Sequence, residues 1–260
     1  MSENVQAAQN PSKSGAANEV VEIVKTVVYA LLIALFLRVI FFQPFTIPSA
    51  SMEPNLYEGD YIIVSKFTYG WSHHSIPFSP PLFKGRLMEQ PGHRGDIVVF
   101  KLPRDNHTDY VKRLIGLPGD RIQMKQGLLY LNGVVVPRKL LGVSKEDSGY
   151  GFVRDVYKYQ ETLPGGKTYT TNDFGTNEEL DNTDVYVVPE HMYFMMGDNR
   201  DNSSDSRVDP AQGGVGYVPA ENLVGKAQII LLSWKPGASI FKPWTWVMNA
   251  RPSRFFQLLK

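Results

Sequence analysis

Apolar and polar positions alternate in three different ways along this chain of 260 residues. Residues 1–19 are small and polar with no period, too poor in apolar surface to offset the entropy of ordering, and read as a flexible tail. Over 20–42, "VVEIVKTVVYALLIALFLRVIFF", the apolar run from Val27 to Leu37 is unbroken, and Arg38 is followed by four more apolar residues. A segment apolar around its whole circumference is a membrane anchor rather than a surface helix. A buried core helix and a cleaved leader compete with that reading. The leader lacks a small-x-small pair in the "RVIFFQPF" that follows. Beyond Gln43 the pattern becomes period two in short runs: "DYIIVSKF", "GDIVVFKL", "YVKRLIG", "DRIQM" and "KAQIILLSW" read as strands. In "LLYLNGVVV", Asn132-Gly133 between β-formers predicts a hairpin. Residues 138–182 are polar and rich in turn formers, with a hairpin expected around "ETLPGGKTY". The expected fold is therefore mainly β. A single N-terminal transmembrane helix (20–42) precedes a β-barrel-like domain of short, mostly antiparallel strands (43–137 and 183–260), with an inserted subdomain at 138–182.

Charge changes this picture little. Lys plus Arg number 27 and Asp plus Glu 26, so no net field recruits nucleic acid. Lys13 and Lys25 face Glu3, Glu19 and Glu22 on the N-terminal flank, which orients the anchor only weakly; a tail inside and the bulk of the chain translocated is the expectation. The C-terminal stretch mixes Trp244, Trp246, Phe255 and Phe256 with Lys242, Arg251 and Arg254. It suits either a headgroup layer or a terminal strand and helix capping the core.

The chemistry is narrowed by what is missing. There is no Cys, so thiol nucleophiles, thiolate metal sites and disulfides are excluded. The five His fall in loops or at a strand edge, and neither a G-x-S-x-G elbow nor H-E-x-x-H occurs. A hydroxyl nucleophile would then need Lys as its base, and Lys serves only where burial disfavours its charge. Lys112, among Val111, Leu114 and Ile115 on an expected strand, fits that need; the rival reading is a solvated Lys-Arg pair at a sheet edge. "SIFK" at 239–242 has the S-x-x-K spacing, but Pro243 denies it the helix that spacing requires. "MMGDNRDNSSDSR" (195–207) either punctuates the surface or folds on its own side-chain bonds to aim a hydroxyl. It lacks the spacing and the final Glu of a Ca²⁺ loop, and no metal is expected.

Three stretches, "IPSASMEPNLYEGD", "GDIVVFKLPRDNHTDYVKRLIGLPGDRI" and "GDNRDNSSDSR", in that order behind an anchor, resemble the motif set of the type I signal peptidases. These are membrane-bound serine proteases that remove signal peptides from exported bacterial proteins. The resemblance implies Ser51 as nucleophile, Lys112 as general base, and the Ser49 hydroxyl with the Ser51 N–H as oxyanion hole. It implies that Ser203 holds the Lys112 amine and that Asp205 and Arg207 form a supporting ion pair. Phe45, Ile47, Met52 and Val111 would wall the pockets for a small-x-small signal, and Asp109 and Tyr110 would lie on the strand that pairs with it. Ala50 stands where many relatives carry Gly, which disfavours positive φ there. No cofactor is implied. The implied partners are signal peptides of exported preproteins, membrane lipid and the export machinery, at the inner membrane with the catalytic domain on the periplasmic face. Nine residues at about 3.5 Å each keep Ser51 within roughly 30 Å of the anchor. An inactive, tethered β-domain that binds extended peptides is the alternative.

Overall fold

The computed structural model describes residues 13–147, 153–238, 242 and 244–259. Its N-terminal helix, Lys13–Ile40, starts inside the expected tail, because Ala16 and Ala17 extend the helical run outward from the apolar segment. Residues 1–12 of that tail lie outside the described residues. From Asn18 to Ile40 the helix is long and apolar enough to cross a membrane, with mean hydropathy 2.3 and none of the span buried in the protein. Large apolar side chains are exposed on every side of it, as lipid rather than a core would require.

The strand Phe42–Thr46 follows almost at once and begins an antiparallel sheet of eight strands. The order runs through Asp60–Ser65, Leu223–Ser233, Ile97–Lys101, Asp109–Gly116 and Met192–Met196 to Val218–Pro219, and Gln257–Leu258 also pairs with Leu223–Ser233. The sheet curls into a half-barrel, giving the mainly β architecture expected from the period-two runs. Its middle strands are buried on both faces. In Ile97–Lys101, Ile97 and Val99 enter one cluster with Met52, Leu56, Ile62 and Val64, while Val98 and Phe100 enter another with Tyr69, Leu114 and Met195. Each of these side chains contributes about 1.5–3 kcal/mol by leaving water.

A second sheet holds the Leu128–Leu131 and Val134–Val135 hairpin, where Asn132 and Gly133 take φ of 53° and 83° and close a type I′ turn. A third, of Arg138–Asp147, Val153–Thr162 and Thr168–Asp173, occupies the polar 138–182 stretch. Its second hairpin turns at Leu163–Lys167, closed by Leu163 N donating to Lys167 O at 2.9 Å. At the C-terminus a helix, Trp244–Asn249, leaves Trp244 and Trp246 exposed, while Arg254 ties the chain back to Asp60. Of "SIFK", Ser239, Ile240 and Phe241 lie outside the described residues.

Candidate active site

Ser51 sits in a short 3-10 helix, Ala50–Met52, entered through Pro48 and extended Ser49. Met52 is buried beneath it and holds the turn to the core. Ala50 does not adopt positive φ, so the turn needs no glycine at that position. In the first turn of such a helix the Ser51 N–H has no intrahelical acceptor and stays available to a ligand. The turn is clasped from the other side of the chain: Asn199 N donates to Ser51 O at 3.1 Å, and Asn199 Nδ2 donates to Ala50 O at 3.2 Å.

Lys112 arrives on the strand Asp109–Gly116, opposite Val98. Its Nζ lies 2.6 Å from Ser51 Oγ, and Ser49 Oγ lies 3.3 Å from the same oxygen. Only 4% of Lys112 is exposed and Arg113 is 1% exposed, so the pair is no solvated edge. Burial lowers the Lys112 ammonium to about 8; Asp205 and Asp198 oppose that shift and Arg207 adds to it. Near neutrality a usable fraction of the amine is therefore free to take a proton.

Below the dyad lies a buried ionic platform. Asp205 accepts from Arg207 Nε and Nη2, both at 2.9 Å, and from Gly197 N at 2.9 Å. Burial alone would raise the Asp205 carboxyl, but Arg207 and these donors outweigh it and hold the group below the usual range. The expected hydrogen bond from Lys112 to Ser203 is not made. Lys112 Nζ is turned onto Ser51, and Ser203 Oγ is buried with no partner among the described residues.

Several site residues lie inside the quoted stretches but carry no role in the sequence reading. Arg113 Nε and Nη2 grip Asp198 at 2.7 Å each, Asn55 Nδ2 donates to the same carboxylate at 2.7 Å, and the guanidinium packs 4.3 Å from the Tyr169 ring. Gly197 is required by space: a Cβ there would stand 2.2 Å from Ser203 Oγ and 2.6 Å from Ser51 O. The inserted sheet joins in, because Arg200 N donates to Asn172 O at 2.8 Å and the Arg200 guanidinium pairs with Glu161 at 2.6 Å. Period two could have separated Arg113 from Lys112, but only three-dimensional pairing names Asp198.

Both serines of the turn and Lys112 open onto a cleft of about 430 Å³, and Phe45, Ile47, Met52, Asp109, Tyr110 and Val111 line it. Ser203 does not line it, whereas its neighbours Asn202 and Ser204 do. Two strand edges flank the opening. Among the described residues Phe42–Thr46 pairs only with Asp60–Ser65, and the pairing of Asp109–Gly116 with Met192–Met196 begins at Arg113, which leaves Asp109 to Lys112 without a strand partner on that side. The arrangement can therefore take an extended peptide by strand addition and present one of its carbonyls to a hydroxyl backed by an amine.

The family described as signal peptidase, peptidase S26, matches residues 20–234. Signal peptidase I of Rickettsia felis is 40% identical over 250 residues, covering 89% of this chain and 90% of its own length. That of Rickettsia typhi is 41% identical over 250 residues, with the same 89% and 90% coverage. A solved structure of a signal peptidase I from Enterococcus faecalis V583 is 29% identical and covers 53% of this chain and 97% of its own, with a TM-score of 0.30.

Proposed function

The chain belongs to the signal peptidase family, peptidase S26, a membrane-associated serine peptidase that removes signal peptides from preproteins, and from that premise we propose how it does so. Ser51 is the nucleophile and neutral Lys112 the general base. The observation that carries this reading is the 2.6 Å approach of Lys112 Nζ to Ser51 Oγ, with the ammonium lowered to about 8 by burial. The signal peptide lies extended along Asp109 and Tyr110. Phe45, Ile47, Met52 and Val111 wall shallow apolar pockets that accept small side chains, as in an Ala-x-Ala site, and exclude large ones.

As Ser51 Oγ attacks the scissile carbonyl, its proton passes to Lys112 Nζ. The oxyanion receives the Ser51 N–H and the Ser49 hydroxyl, which has only to rotate from its position 3.3 Å from Ser51 Oγ. The Lys112 ammonium then protonates the departing amine of the mature chain, leaving an acyl-enzyme. Neutral again, Lys112 takes a proton from water, which cleaves the ester and restores Ser51. Ser203 is a positioning residue: its hydroxyl is a buried group without a partner among the described residues, free to receive the amine once Ser51 is acylated. Asp205 and Arg207 hold the loop that carries it.

The β-domain comprises 43–137 and 183–260, with 138–182 inserted, and stands on the periplasmic face of the inner membrane behind the single anchor. Lipid and the export machinery are its neighbours there. Cleavage of a preprotein with an Ala-x-Ala site, followed across pH in detergent and lipid, tests the mechanism. Wild type is expected to cut after the second Ala with a rate rising through about pH 8, the value to which the Lys112 ammonium is lowered. Ser51→Ala and Lys112→Met are expected to be inactive; failure of wild type to cut would leave the peptide-binding alternative, and residual cutting by Lys112→Met would require another base.

A further inference from the structure

The far end of the apolar span carries Arg38, whose guanidinium has no ion-pair or hydrogen-bond partner among the described residues. It lines a cleft of about 360 Å³ between the helix end and the β-domain, separate from the dyad, with Lys101 and Asp109 also on its walls. Lys101 Nζ is shared between Asp109, at 2.9 Å, and His107 O, at 2.7 Å. Close behind lies Lys66, 1% exposed, donating to Ser75 O at 2.6 Å with no carboxylate partner among the described residues. Burial lowers its ammonium to about 8, and Arg38 is the next cause. Three cations thus crowd around one carboxylate beside the last turn of the apolar span. On the same cleft Phe78 is 97% exposed with φ of 67°, a ring held away from the protein. Such a ring costs free energy in water and gains it at an apolar boundary.

We propose that this junction cleft is a binding site for the phosphate of an anionic phospholipid headgroup, held by Arg38 and Lys101 while Phe78 enters the adjoining acyl layer. The inference rests on the helix being embedded in the bilayer. A guanidinium presents paired donors to phosphate oxygens, and the uncompensated positive charge favours a headgroup that brings no cation of its own. Because Lys101 is shared with Asp109, a bound phosphate competes for the same ammonium as the strand that faces the peptide cleft.

Native mass spectrometry of the full chain released from mixed micelles of phosphatidylglycerol and phosphatidylcholine tests the site without using cleavage, so its failure leaves the peptidase mechanism untouched. Wild type is expected to retain phosphatidylglycerol over phosphatidylcholine by about fivefold or more, the preference one interfacial cation gives. Arg38→Gln is expected to abolish the preference while cutting a preprotein at the wild-type rate in vesicles of phosphatidylcholine alone. Arg38→Lys, which keeps the charge but not the fork, is expected to keep part of it. Equal retention of both lipids by wild type, or an undiminished preference in Arg38→Gln, would overturn the proposal. Displacement of retained phosphatidylglycerol by inorganic phosphate at equal concentration would also overturn it, by making the ligand a soluble phosphate.

Discussion

Lys112 and Ser203 each lower the stability of the fold, one by a buried charge and the other by a buried hydroxyl without a partner. A lysine whose ammonium drops from 10.5 to about 8 on burial binds protons less tightly folded than unfolded. At pH 7 both forms are mostly protonated, so nearly the whole penalty of burying the charge is present there, on the order of 3 kcal/mol. Between about 8 and 10.5 the unfolded chain holds more protons than the folded one, and stability rises with pH. Lys112→Met is therefore expected to be inactive yet more stable than wild type at pH 7, with the gap closing as pH approaches 10.5; calorimetric melts at several pH values measure it. Ser203 Oγ is a buried hydroxyl without a partner. Removing it by Ser203→Ala is expected to stabilise the fold by about 1 kcal/mol while slowing turnover. Unchanged turnover would remove Ser203 from the mechanism, and a lower melting temperature would show that its hydroxyl has a partner in the fold. Both residues fit a site that keeps strained groups because the reaction uses them.

The elements that carry the site were unequally legible. The strands, the Asn132-Gly133 hairpin and the turn around Ser51 follow from local pattern and turn chemistry, which act over a few residues. That Ser51 and Lys112 meet could be read only through motif order, since the sequence itself gives no distance. The Arg113–Asp198 pair is not legible, because its partners stand 85 positions apart and neither quoted stretch says which charge of the other it meets. The same holds for the inserted sheet, whose polar composition suggested a peripheral appendage, whereas Thr168–Asp173 braces the catalytic loop through Asn172 and Glu161 braces it through Arg200. Asp198→Ala leaves the guanidinium of Arg113, 1% exposed, without its counter-charge. It is expected to cost about 3–5 kcal/mol, measurable as a fall in denaturation midpoint, and activity should fall with it because Asn55 and Asn199 flank the same loop.

Across the whole molecule, helix and β-domain are joined rather than merely tethered. Trp71 Nε1 donates to Ile40 O at 2.8 Å and Lys66 N to Phe41 O at 2.9 Å, so the end of the apolar helix is fixed to the β-domain. A flexible Gly-Ser insertion between Ile40 and Phe41 is expected to slow cleavage of membrane-inserted preproteins while leaving cleavage of a short soluble peptide unchanged. Comparing the two substrates on one variant separates positioning from chemistry. The unpaired edge from Asp109 to Lys112 reaches further still. Strand addition accepts only a backbone whose own donors and acceptors are free, and a polypeptide keeps them free only until it folds. Under the proposed strand addition, the time available for maturation would be set by the passenger: quick-folding cargo would narrow it, and whatever delays folding would lengthen it.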